Sequence, residues 1–229
     1  MTRSRRLMAL FARWHIWLGW LVAVPFLLWI VSGLSMVLKP IEEVRGEHLR
    51  IEKAAERFPA AGILLSKFAL GGATEVTQRV EDGRLVAHIS YADGRHTRYT
   101  QQGRLRPVDA DEAKSIVARN IRGGNHARAT QLFSAQDPPL DFRKPLPAWR
   151  VTLADGTYVY VGRDTGRIEA IRTRWWRFYD LMWGIHIMDL QTREDTHNPV
   201  VIAFGLLALI GAFLGTVLLF RRRKARVAT

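Results

Sequence analysis

The sequence predicts an α+β chain in which two transmembrane helices flank a domain of duplicated helix-plus-antiparallel-hairpin units. Three observations carry that reading. No charged side chain occurs from Ile16 to Leu38 or from Asn198 to Phe220. Both runs exceed the roughly 18–20 apolar residues that a helix needs to cross a hydrocarbon core about 30 Å thick. Cations crowd one end of each run, and the chain between the runs repeats a strand–turn–strand pattern.

The charge is informative through its placement. Of the net +13, Arg3, Arg5, Arg6 and Arg13 precede the first run, and Arg221, Arg222, Arg223, Lys224 and Arg226 follow the second. No acidic residue occurs before Glu42 or after Asp195, so 25 Lys and Arg face all 21 Asp and Glu in the middle, which keeps only +4. This is the positive-inside distribution, and it puts both termini in the cytoplasm and residues 39–197 on the far side, periplasmic in a bacterial inner membrane. The basicity therefore reports topology. Membrane lipid is the implied partner, and no nucleic acid is expected. The apolar run in Met1–Leu38 is too long for a cleaved signal and no A-x-A site precedes Lys39-Pro40, so the segment reads as an uncleaved anchor. There is no cysteine, which removes disulfides and thiolate metal sites.

In order along the chain, residues 1–13 form a cytoplasmic N-terminus and 14–38 the first spanning helix. Trp14, Trp17 and Trp20 sit where amphipathic rings favour the membrane interface. Pro25 suggests a kink. Ser32, Gly33 and Ser35 would permit close helix contact, as would Gly205, Gly211 and Gly215 in the second span, where Gly211-x-x-x-Gly215 is a dimerisation signal of low specificity.

The domain at 39–172 divides into units at about 45–108 and 109–172. AHISYADGRHTRYTQQGRLRPV (87–108) aligns with WRVTLADGTYVYVGRDTGRIEAI (149–171). Asp93-Gly94 and Asp155-Gly156 suit two-residue hairpin turns. That register would put Val151, Leu153, Tyr158 and Tyr160 on one core face, and His88 and His96 on opposite faces, unable to share an ion. Helices are expected at 49–58 and at 109–121. The latter would be capped by Asp109 or Asp111, with Ala113, Ile116, Val117 and Ile121 as its apolar stripe. Residues 137–147 read as a Pro-rich surface loop. An interfacial aromatic helix and turn occupy 173–197, the second span 198–220, and a basic cytoplasmic tail 221–229.

No hydrolase or transferase motif is present, and no residue is assigned as catalytic. Three histidines remain as candidate ligands. His15 is either an interfacial residue in a tryptophan belt or a haem or metal ligand, since ionisable groups at membrane depth are costly. His186 shares a helical face with Met182, Asp189 and Arg193. It is either part of a surface string or a ligand, with Asp189 orienting its imidazole and Arg193 balancing Asp189. His197 precedes Asn198 as N-cap and Pro199 at the first helical position, and is a third candidate. His15 and His186 lie near opposite faces of the bilayer and cannot ligate one haem. A complete inner site needs a second copy or another membrane protein.

The helix HIWLGWLVAVPFLLWIVSGLSMVL (15–38), the Asp-x-x-Thr-Gly turn within WRVTLADGTYVYVGRDTGRIEAI, and GIHIMDLQTREDTHNP (184–199) together resemble the PepSY-associated transmembrane family in its small, two-helix form. The resemblance covers nearly the whole chain and is most specific in the second repeat. It implies an inner-membrane protein with a periplasmic α+β domain. It also implies kinship to haem-containing reductases of ferric siderophores, which have four helices. Carried over, their helix histidines fall on His15 and His186. The implied function is a haem-b-binding electron-transfer accessory of iron uptake, an oxidoreductase component working as an oligomer. The alternative is a tethered periplasmic binding or protease-inhibitor module without cofactor.

Overall fold

The structure, a computed structural model, describes residues 3–53, 57–59, 62–63, 68 and 70–227. The chain is α+β. Two long apolar helices, α1 (Arg3–Met36) and α5 (Pro199–Val227), stand before and after a central region with two antiparallel sheets. The chain divides into two compact units, one of residues 1–39 with 178–229 and one of Pro40–Arg177.

Within the helical unit, Arg6–Met36 and Pro199–Phe220 are long and apolar enough to cross a membrane, and only 6% of the most apolar window of each is buried. Helices that formed the core of a soluble protein would bury that surface. Trp14, Trp17 and Trp20 project outward, 57–78% exposed. Asn198 caps α5, its Oδ1 accepting the Val200 N–H at 2.8 Å, with Pro199 beginning the helix. The aromatic helix α4 (Arg174–His186) stops at His186, so the run to 197 is turn rather than helix.

The second unit holds α2 (Ile41–Val44), a 3₁₀ turn at Glu47–Leu49, and two four-stranded sheets. The first comprises β1 (Ala73–Glu81), β2 (Arg84–Tyr91), β3 (His96–Thr100) and β4 (Gly103–Arg104). The second comprises β5 (Ala127–Phe133), β6 (Ala148–Leu153), β7 (Tyr158–Gly162) and β8 (Ile168–Arg172). Each sheet is a meander, with every neighbouring pair antiparallel. The sequence pattern gave three strands per unit; β1 and β5 are the additional ones.

The helix expected at 49–58 is not formed at its described residues. Arg50 is extended and bridges Ile121, while Ile51 N–H donates to Asn120 O and Arg122 N–H to Leu49 O. Backbone pairing there overrides the helix-forming composition; residues 54–56 lie outside the described residues. Helix α3 (Ala110–Asn120) forms as expected, with Asp109 Oδ1 accepting from the Asp111 and Glu112 N–H groups. Its stripe of Ala113 and Val117, continued by Ile121, packs on the second sheet.

Both Ala-Asp-Gly hairpins are one residue longer than expected. Tyr91 N–H donates to Arg95 O and Leu153 N–H to Thr157 O, closing three-residue loops, with Gly94 at φ 79° and Gly156 at φ 82°. In each, the aspartate accepts from the N–H two residues on, Asp93 from Arg95 and Asp155 from Thr157. This is a type I turn followed by a left-handed glycine. A one-residue slip exchanges the faces of a strand. Val151 therefore pairs with Val159, and Val151, Leu153, Val159 and Val161 form the core face against α3. Tyr160 lies on the opposite face with Phe142, Ala148 and Ala170, and Tyr158 packs there. By the same slip Ser90 pairs with His96, so His88 and His96 share a face after all. They keep separate partners: His88 Nε2 lies 2.7 Å from Glu81, and His96 Nδ1 3.2 Å from Ser90 Oγ.

The segment 137–147 is a loop, but it also covers the second sheet. Phe142 is 2% exposed and stacks on Tyr160 at 4.5 Å between ring centroids. Tyr160 Oη donates to Asp141 at 2.8 Å; burial, with the Asp141 carboxylate beside it, pushes the phenol above its ordinary value.

Candidate functional site

The helical unit brings α1 and α5 together through His15. Its Nδ1 lies 3.0 Å from the carbonyl oxygen of Gly211. A carbonyl can only accept, so Nδ1 is the donor, and in the neutral imidazole Nε2 then carries the lone pair. The ring rests on Gly215, where an added Cβ would sit 2.8 Å from His15 Cε1. The Gly211-x-x-x-Gly215 pair therefore serves a contact inside the chain, taking in a histidine.

His186, the last residue of α4, is held against α1 in the same manner. Its Nδ1 lies 3.1 Å from Trp29 O and 3.2 Å from Ser32 Oγ, and Ser32 Oγ itself donates to Trp29 O. The indole of Trp29 stacks on the imidazole, with centroids 5.0 Å apart and planes 14° apart. Gly33 makes room, since a Cβ there would lie 3.0 Å from His186 Cε1. Ser32 and Gly33, read from sequence as close-contact residues, turn out to form the seat of a histidine.

Both imidazoles thus spend Nδ1 on a backbone carbonyl and leave Nε2 with no hydrogen-bond partner among the described residues. A carbonyl on one ring nitrogen fixes the tautomer that presents the other as a ligand. His15 and Ser32, which touches His186, are 17 residues apart on α1, roughly 25 Å along the axis. The two rings are separate sites.

Asp189 does not orient His186. With α4 ending at His186, the helical face that would have carried Met182, His186, Asp189 and Arg193 is broken. The Asp189 carboxylate instead gathers the N–H groups of Gln191, Thr192, Glu194 and Asp195 together with the Thr192 hydroxyl. The Thr192 hydroxyl, followed by these backbone donors, holds its carboxyl well below the usual carboxylate range.

Arg193 does not balance Asp189 either. It reaches back to Asp180 on α4, Nη1 to Oδ2 2.7 Å, with side chains 19% and 5% exposed. Trp183 Nε1 donates to Arg193 O at 3.0 Å, and the Arg193 stem crosses Gly184, where a Cβ would meet Arg193 Cγ at 2.8 Å. The charged knot is therefore a clasp that returns the chain from α4 to the start of α5. Sequence reasoning missed Asp180; the one signal was a lone carboxylate inside the aromatic run 175–183. His197 is exposed, with its N–H on Asp195 and Nδ1 3.4 Å from Thr196 Oγ1. It belongs to the helix-start turn and gives no sign of a ligand seat.

The donor chemistry fits a haem or metal in a limited way. Among the described residues no three His, Asp or Glu side chains gather at one point, and each depth of the helix pair offers one imidazole. One axial nitrogen per chain per depth is what these residues could hold. Fold and site together define an α+β chain with two candidate spanning helices, each helix contact carrying a tethered histidine. No family model, curated protein or solved structure matches it.

Proposed function

We propose that this is a PepSY-type bacterial inner-membrane protein that contributes axial histidines to haem b and serves as an electron-transfer accessory of ferric-siderophore reduction or uptake. The single observation behind the proposal is the matched tethering of His15 and His186, Nδ1 to a backbone carbonyl of a spanning-length helix (Gly211 of α5 and Trp29 of α1) and Nε2 unpartnered among the described residues. Ionisable groups at membrane depth are costly and are functional sites by default.

Haem b, when bound, supplies a reversible one-electron couple. His15 and His186 would each present Nε2 as one axial ligand at opposite depths, their rings held by Gly211 O and Trp29 O. Gly215 and Gly33 allow the helices to approach closely enough to seat each ring. The second ligand at each depth would come from another copy or another membrane protein. Both termini would be cytoplasmic and the two-sheet unit periplasmic.

The test is the absorption spectrum of the full chain purified in mild detergent from haem-replete cells. A Soret band that His15→Ala or His186→Ala weakens supports the proposal. A colourless protein without haem by pyridine haemochrome assay overturns it, and a cofactor-free tethered binding module becomes the better account.

A further inference from the structure

The two-sheet unit contains a cavity of about 1030 Å³, as large as pockets that enclose whole small molecules. It lies between the first sheet, α3 and the β7–β8 turn. The lining is unusual for a protein interior: seven Arg or Lys side chains stand against three Asp or Glu, with Phe58, Val86, Leu105 and Ile116 among the apolar members. The register explains the charge. Arg79 pairs with Val86 and Arg98 with His88, so Arg79, Arg84, Val86 and Arg98 share one face of the first sheet. The other face carries Leu85 and Ala87 in an apolar cluster with Ile63. The first sheet thus turns its cationic face towards α3.

Pairing within the cavity is incomplete. Lys53 and Arg119 share Asp82, whose carboxyl the Lys53 ammonium draws below its ordinary value. Arg98 forms the floor, its side chain 7% exposed, 3.1 Å from Arg106 O and 3.6 Å from Glu112. Gly166, at φ 65°, lies so close that a Cβ would come within 2.4 Å of Arg98 Nη1. Arg79, Arg84 and Arg167 line the exposed rim, and their guanidinium groups have no ion-pair or hydrogen-bond partner among the described residues. Guanidinium forks match carboxylate geometry, and several set around an apolar-walled volume suit an anion whose charges are spread apart. A compact phosphate is gripped by guanidinium forks too, and most tightly where converging backbone donors join them. The nearby start of α3 offers none, because Asp109 already accepts from Asp111 and Glu112 N–H.

We propose that this cavity binds a small organic polycarboxylate, with Arg98 at its floor and Arg79, Arg84 and Arg167 at its mouth. The assignment rests on the two-sheet unit and is independent of haem. It is tested by titrating the full-length protein in detergent at low salt with benzene-1,3,5-tricarboxylate, benzoate and inorganic phosphate, read by calorimetry. Saturable tricarboxylate binding, at least tenfold tighter than either other probe, is expected. Arg84→Ala and Arg167→Ala alter exposed side chains, and each should weaken binding about tenfold with an unchanged circular dichroism spectrum. Absence of saturable tricarboxylate binding overturns the proposal. So do phosphate binding as tight as tricarboxylate binding, and rim variants that bind like the parent.

Discussion

His15 Nδ1 sits 3.0 Å from the carbonyl oxygen of Gly211, 196 residues further along the chain. This one bond ties the first apolar helix to the last, and Gly215 supplies the clearance. Gly215→Ala would place a methyl 2.8 Å from a ring already pinned at its other edge. A cost of about 1–3 kcal/mol is expected, visible as a lower melting temperature in detergent. In the double variant His15→Ala/Gly215→Ala most of that cost should vanish, because the clash partner is gone. Additive losses would show that the two residues do not touch.

Buried Asp180 and partly buried Arg193 form an ion pair that clasps the turn between α4 and α5. Asp180→Asn leaves the guanidinium without its counter-charge in a largely dry setting, at a cost of about 3–5 kcal/mol. The turn should then become sensitive to limited proteolysis between residues 187 and 198. Replacing both partners together, Asp180→Leu with Arg193→Met, should be milder than Asp180→Asn alone. If the double replacement is the worse of the two, the clasp is not electrostatic.

The architecture was legible where it depended on composition summed over many residues. The uncharged runs gave α1 and α5, and Asp109 with its stripe gave α3. What stayed hidden depended on single-residue registers and on partners distant in sequence. Asp155-Gly156 reads equally well as a two-residue or three-residue loop, and the difference moves Tyr160 from one sheet face to the other. Asp189 has helical spacing from His186, yet the left-handed Met188, at φ 55°, belongs to a turn that ends the helix first. Of the candidate site, His15 and His186 were visible as histidines at membrane depth. The carbonyls of Gly211 and Trp29 that hold them could not be read from a linear pattern, nor could the cationic sheet face around Arg98.

Asp189 predicts a pH response confined to acid. Its carboxyl is held below the usual range by the Thr192 hydroxyl and by backbone donors. A group depressed in the folded state contributes stability that is complete above the unfolded value near 4 and is lost only as pH falls towards the folded value. The amides of Gln191, Thr192, Glu194 and Asp195 should therefore stay protected from exchange at pH 5 as they are at pH 7, then lose protection on strong acidification. Asp189→Asn should remove that protection at pH 7. Loss of protection already between pH 7 and 5 in the parent would contradict the assignment.

Topology is the prediction on which the proposed function most depends. Nine cations lie beyond the outer ends of the two uncharged runs, without an acid before Glu42 or after Asp195. In a bilayer whose translocation machinery retains Lys and Arg on the cytoplasmic side, that arrangement should hold both ends inside and carry the two-sheet unit across. Alkaline phosphatase fused after residue 229 should be inactive, and fused within the two-sheet unit after residue 107, ahead of α3, it should be active. Replacing Arg221, Arg222, Arg223 and Lys224 by Gln should weaken retention of the C-terminus and raise the activity of the 229 fusion. An active fusion at 229 in the unaltered chain would put the C-terminus outside and overturn this orientation.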